Sequence, residues 1–183
     1  MKGVIFTEFL EMVEERFSLA TADRMLTSEP LPSGGIYTAV GTYDHQEMLE
    51  LVGRLSRLTN IPAPDLVRAF GRHLFGRFTV LYPDLFTGID SAFTLLENVE
   101  GFIHVEVLKL YPEASLPRFE CRRHGPDRLE MVYRSPRPFA DLAEGLIHGC
   151  AEHFGESVDV TRQDVPEPDG GAVRFLLTRR PPA

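Results

Sequence analysis

Phe102-Ile103-His104-Val105-Glu106-Val107-Leu108-Lys109-Leu110-Tyr111-Pro112 is a helical run, apolar on almost every side, with a single imidazole set into it. A helix apolar all round is expected to be buried all round. A buried imidazole needs a partner, because a polar group left unpaired away from water costs about 1–3 kcal/mol. Gly101 precedes the histidine by three residues, on the same face, and is expected to leave room beside the ring for something flat. Two readings are open here. His104 is either a core histidine satisfied by a neighbour or a metal ligand, and an axial ligand to haem iron suits the flat space best. Pro112 stops the run, so the helix is expected over residues 91–111.

Upstream, the apolar positions Val4, Ile5, Phe6, Phe9, Leu10, Val13 and Phe17 fall mostly at helical spacing, which predicts a helix over residues 3–17. A short helix over 20–27 follows, and then Pro30, Pro32, Gly34 and Gly35 break regular structure. Residues 36–43 are irregular, with Tyr37 and Tyr43 as possible anchors. Asp44 with Glu47 three residues on reads as an N-cap box, which leaves His45 exposed in the first turn of the next helix. Pro64 suits the first turn of a further helix carrying Leu66, Val67, Phe70, Leu74 and Phe78, with His73 partly exposed. Residues 82–86 make one short turn of helix.

Downstream, the pattern changes to alternation. Residues 118–122 and 129–133 flank Gly125-Pro126-Asp127 and predict a β-hairpin. A helix over 138–154 follows, then strands over 157–165 and 172–178 joined by a turn at 167–171, with a frayed end at 179–183. The fold class expected is α+β: a helical N-terminal lobe followed by an antiparallel ββαββ lobe. One domain over 1–183 is expected, divided into a helical subdomain, 1–60, and a second, 61–183, carrying His104 and the sheet.

A second constellation closes the hairpin: Tyr133-Arg134-Ser135-Pro136-Arg137-Pro138. In an extended strand, residues two apart point the same way, and both prolines favour extension. Tyr133, Ser135 and Arg137 would then share a face and offer a phenol, a hydroxyl and a guanidinium fork, donors suited to carboxylate or phosphate. A solvated strand end is the plainer reading. Taken together, a neutral nitrogen in an apolar slot and a row of anion-binding donors answer the two needs of haem b, an axial ligand for iron and donors for two propionates.

The composition sets outer limits. A net charge of −8 argues against nucleic acid and anionic membranes as partners. Hydrophobic residues at 43% exclude a disordered chain. No apolar run approaches a membrane span, which takes about 18–20 residues. Acid arrives at Glu8, too early for a signal peptide, and two cysteines make no disulfide framework, so a reducing, cytoplasmic setting is expected.

His104, Pro117 and Tyr133-x-Ser135-x-Arg137, together with Met1-Lys2-Gly3, residues 41–48 and Lys109-Leu110-Tyr111-Pro112, resemble the haem nitric-oxide/oxygen-binding (H-NOX) family, bacterial members above all, and are similar to the haem domain of soluble guanylate cyclase. The likeness runs from residue 1 to about residue 178. It implies haem b buried between the lobes, His104 as the iron ligand, Tyr133, Ser135 and Arg137 on the propionates, and Pro117 pressing the porphyrin out of plane. Ile5, Phe9, Leu74, Phe78, Leu142 and Leu146 match positions on the gas-binding side. Oxygen-binding relatives carry a tyrosine where this chain has Leu142, and some relatives carry tryptophan at Phe9. The resemblance therefore implies a sensor of nitric oxide that also takes carbon monoxide and excludes stable dioxygen, with Tyr82 the one nearby phenol that could alter this. It also implies release of the His104–iron bond as the signal. These 183 residues hold no kinase or cyclase module, so the output is expected to pass to a histidine kinase or a diguanylate cyclase.

Two further readings come from the residues. Cys121-x-x-His124 and Cys150-x-x-His153 repeat a spacing that could hold zinc. Cys150 with His153 could make a nucleophile–base pair, although no oxyanion donor is evident. A module binding another planar or acidic ligand through Arg137, without iron, is a third alternative.

Overall fold

The structure, a computed structural model, describes residues 1–167 and 171–181. The turn expected at 167–171 falls largely outside them. At the other end Arg179 closes the last strand and the Arg180 guanidinium pairs with Asp159, so these two residues are held rather than frayed. Residues 182–183 lie outside the described part.

The helical lobe forms from α1 (Gly3–Arg16), α2 (Leu19–Thr27), α3 (His45–Thr59) and the first half of α4 (Ala63–Leu81). Phe6, Phe9, Met12, Met25, Leu51, Leu55, Phe70 and Leu74 close its core. Local chemistry sets the ends. Ser18 Oγ accepts from Thr21 N at 3.1 Å to start α2, and Asp44 Oδ1 accepts from Gln46 N at 2.9 Å to start α3. Glu47 does not complete the expected capping box. It is buried, and its Oε2 accepts from Ser33 N, Ser33 Oγ and Tyr37 Oη at 3.2, 2.6 and 3.0 Å. The carboxylate thus pins the loop before α3 instead of its own helix end. Tyr37 and Tyr43 anchor the same loop on Phe6, whose ring stacks on Tyr37 at 4.6 Å. The Arg54 guanidinium, 3% exposed, donates to the carbonyls of Met25 and Glu29 and closes α2. His45 is half-buried against Phe139 rather than exposed.

The second lobe is a four-stranded antiparallel sheet in the order β1-β2-β4-β3. Its strands are β1 (Arg118–Arg123), β2 (Arg128–Arg134), β3 (Val158–Val165) and β4 (Ala172–Arg179). Leu129, Met131, Tyr133, Val173, Phe175 and Leu177 alternate onto the inner face. There they meet α5 (Ala92–Glu97) and α7 (Ala140–His153).

The histidine segment departs from expectation. In place of one helix over 91–111 there are three pieces: α5, a π turn (Val99–Ile103) and α6 (His104–Leu110). None of α6 is fully buried, and Phe102, Val105 and Leu108 are 41–45% exposed. A helix this short lies on the rim of the molecule, so only one side of it reaches the interior.

Helices α4 and α7 pack closest of all. A Cβ on Gly71 would stand 2.5 Å from Leu142 O and 2.7 Å from Gly145 Cα, so only glycine permits the approach. α4 enters both interiors, with Leu66, Val67, Phe70 and Leu74 in the first core and Phe75 in the second. Among the described residues no helix is long and apolar enough to cross a membrane.

Candidate functional site

Between the two cores lies an apolar cavity of about 350 Å³. α1, α4, the α5–α6 segment, residues 113–117, β1, β2 and α7 all contribute to its lining. Its size is that of a small-ligand pocket, typically about 300–1,000 Å³.

His104 opens α6 and lines this cavity. Its Nδ1 lies 3.1 Å from Glu100 Oε2, four residues back in the π turn. The same oxygen accepts the backbone N–H of Phe119 at 3.1 Å. Burial holds the imidazole below its ordinary pKa, against the opposing pull of Glu100. A neutral ring that donates from Nδ1 keeps the Nε2 lone pair for another purpose, and among the described residues Nε2 has no hydrogen-bond partner. A metal is the natural claimant. Gly101 plays no part in making the space. It is exposed, a Cβ there would meet nothing within 4 Å, and it does not line the cavity.

Tyr133, Ser135 and Arg137 line the same cavity, but by a different route from the one the prolines suggest. β2 ends at Arg134, and the chain then bends. Ser135 Oγ accepts from Arg137 N at 3.1 Å, a serine turn that replaces the extended strand. Tyr133 is buried, which pushes its phenol up, and its hydroxyl donates to Arg137 O at 3.5 Å. Arg137 Nη1 donates to Ser115 O at 3.1 Å, tying this bend to the segment that carries Pro117. Pro117 also lines the cavity.

Ile5, Leu74, Phe78, Leu142 and Leu146 form one hydrocarbon wall. Phe9 is not part of it. It is fully buried in the helical core, edge-on to Phe70 at 5.1 Å. It shares Ile5's face of α1 but lies one turn, about 6 Å, further along. Tyr82 does line the cavity, and its hydroxyl is 3.3 Å from that of Tyr111. Burial raises the Tyr82 pKa to about 12.

An apolar slot with one unsatisfied imidazole nitrogen on its wall and a phenol, a hydroxyl and a guanidinium around it fits a flat, iron-bearing, dicarboxylate macrocycle. Sequence reasoning missed Glu100, although its i−4 spacing from His104 was visible; it also missed Phe119 and the Tyr82–Tyr111 contact, which join residues 19 and 29 positions apart.

The rival sites are not assembled. Among the described residues no three His, Cys, Asp or Glu side chains are grouped to hold a metal. Cys121 Sγ faces Leu96 O at 3.5 Å, Cys150 Sγ faces Ala92 O at 3.7 Å, and His124 pairs with Glu130. Cys150 is fully buried, which pushes its thiol up, while the His153 ring lies among Phe75, Phe86 and Phe154. A thiol so placed is inert.

A family model described as Haem-NO-binding matches residues 2–162. Comparison with curated proteins found no match. Among solved structures, the Fe(II) unliganded H-NOX protein from K. algicida is 36% identical, covering 100% of this chain and 98% of its own, with a TM-score of 0.91. The H-NOX from Shewanella woodyi, solved in the Fe(II)CO state with IWP-051 bound, is 44% identical over 99% of this chain and 95% of its own, with a TM-score of 0.84. An H-NOX from S. oneidensis in the Fe(II)NO state is 26% identical, over 99% of this chain and 100% of that one, with a TM-score of 0.90. The family match and these likenesses lead to one conclusion: the chain belongs to the haem-NO-binding, or H-NOX, family of haem-based gas-sensor domains.

Proposed function

We propose that the chain is a bacterial, cytoplasmic nitric oxide sensor that holds haem b through His104 and excludes stable dioxygen. What carries this reading is the meeting, on one apolar cavity, of an imidazole whose Nδ1 is already engaged and the Tyr133, Ser135 and Arg137 trio. When bound, the haem would supply a ferrous iron able to take a diatomic gas. His104 Nε2 would hold the iron. Tyr133, Ser135 and Arg137 would hold the propionates, and Pro117 would press on the ring. Ile5, Leu74, Phe78, Leu142 and Leu146 keep water out and offer no hydrogen bond to a bound gas. That bond matters to dioxygen, whose outer oxygen gathers negative charge, and much less to nitric oxide or carbon monoxide.

On this reading the signal would be release of His104, the residue that would hold the iron. α6 is then free to move as a short, rim-bound helix. Its outward residues Val105 and Leu108, with Phe102 of the preceding π turn, are exposed enough to carry that movement to a partner, a histidine kinase or a diguanylate cyclase. The subdomain division proposed at residue 60 falls just before α4, whose first half still packs in the core of the helical lobe.

The test is the visible spectrum of the wild type beside His104→Gly. A haem spectrum in the wild type that is lost in the variant and returns with added imidazole supports the reading. A colourless wild type after expression with ample porphyrin overturns it, and a stable oxy spectrum in air overturns the gas selectivity.

A further inference from the structure

We propose that Glu100 is the positioning residue for His104 and the link by which that histidine is tied to the edge of the sheet. This rests on His104 being the iron ligand. The π turn Val99–Ile103 places Glu100 four residues before His104, so that its carboxylate stands beside the ring. One oxygen, Oε2, serves two donors: His104 Nδ1 at 3.1 Å and the Phe119 amide at 3.1 Å. A carboxylate oxygen has the lone pairs for both. Phe119 is the second residue of β1, and its ring lies against both His104, at 5.8 Å, and Tyr133, at 5.5 Å.

Two consequences follow. First, a carboxylate on Nδ1–H fixes the tautomer, points Nε2 into the cavity and makes that nitrogen a stronger donor to a metal. Glu100 therefore sets how hard His104 must be pulled before it leaves. Second, the oxygen that orients the histidine also holds the first inward residue of β1. When α6 moves outward, either the carboxylate follows and drags the strand edge, or one of the two bonds breaks. Glu100 is thus where displacement of the ligand becomes displacement of the sheet. Its side chain is half-exposed, so its removal leaves no cavity behind and the variants are expected to fold.

Wild type, Glu100→Gln and Glu100→Ala are compared as purified. Resonance Raman of the ferrous proteins reads the iron–histidine stretch, transfer to excess apomyoglobin reads haem loss, and NMR of the carbon monoxide form reads exchange of the Phe119 amide. The expected results are a lower stretching frequency in Glu100→Gln and a lower one still in Glu100→Ala. Haem loss should be about 10–100-fold faster in Glu100→Ala, and that variant should lose protection at Phe119. An unchanged stretch, haem-loss rate and Phe119 exchange in Glu100→Ala overturn the proposal. Should the wild type emerge without haem, the sensor reading fails and the Glu100 contact is judged separately, by nitrogen NMR of the same colourless protein: a fixed Nδ1–H tautomer that Glu100→Ala releases upholds the clamp, and identical tautomers in the two proteins refute it.

Discussion

If the hydrocarbon wall denies stable dioxygen, as proposed, replacing Leu142 by tyrosine should give a chain that holds it. Leu142 sits on α7, one turn before Leu146, and both line the cavity together with Ile5 of α1 and Leu74 of α4. Nothing on this wall can donate a hydrogen bond. A phenol at position 142 would place one donor in a dry space, where such a bond is worth about 1–3 kcal/mol. Each 1.4 kcal/mol is tenfold, so dioxygen should dissociate about 5- to 150-fold more slowly, while the carbon monoxide rate changes little. The ring is larger than the leucine it replaces. The cavity is the one assigned to the haem, so only a small void beside Ile5, Met48, Phe70 and Leu142 gives some relief. Residual overpacking should cost about 1–3 kcal/mol of stability. Leu142→Phe adds the ring without the hydroxyl and separates size from hydrogen bonding. Stopped-flow dissociation of dioxygen and carbon monoxide from the ferrous proteins, with melting curves alongside, is the assay. If the tyrosine and phenylalanine variants release dioxygen at one rate, the hydrocarbon wall does not set the selectivity.

Gly71→Ala would force Leu142 O and Gly145 Cα, both backbone, to retreat from a Cβ at 2.5 and 2.7 Å. The helices cannot part cheaply, so a loss of about 1–3 kcal/mol is expected, read as a fall in Tm of about 2–12 °C for a chain of this size. His73 Nε2 is buried without a partner, 4.0 Å from Glu8, and burial lowers the pKa of the ring from its ordinary 6.5. The unfolded chain therefore binds the proton more readily than the native one, and stability should fall as pH drops below that ordinary value. His73→Gln should lessen the fall in Tm between neutral and mildly acid buffer; an identical fall would show that His73 has no part in it. Cys150, fully buried, should not react with a thiol reagent until the protein unfolds, and Cys121, whose pKa burial raises to about 11, should react more slowly than free cysteine. Rapid native labelling of Cys150 would contradict its placement against α5.

Much of this architecture was legible because it depends on local pattern. Alternation in 118–122 and 129–133 wrote out the hairpin, and helical spacing wrote out α1, α3 and α4. The misreadings share a cause: a pattern states that a side chain is apolar or acidic without stating what it meets. Phe102, Val105 and Leu108 looked like core residues, yet they sit outward because the π turn and the seven-residue α6 lie on the rim. Glu47 stood at a capping spacing and was drawn instead to Ser33 and Tyr37. The π turn leaves no signature, since one extra residue in a helical stretch changes no composition. His104 and the Tyr133, Ser135 and Arg137 trio, which meet on one cavity, stood out by residue type. Phe9, matched to the gas-binding side by resemblance alone, packs edge-on to Phe70 in the helical core and does not line the cavity. The Glu100–Phe119 bond joins residues 19 apart and exists only once β1 has docked.

α4 is a beam set into two walls. Its first half completes one interior, Phe75 begins the other, and its glycine-lined groove against α7 leaves no slack between them. Neither wall can be dismantled while the beam stays whole, so heat should bring both down in a single step. A cut at residue 60 should yield two insoluble pieces, because each would inherit an exposed socket that only the intact beam fills.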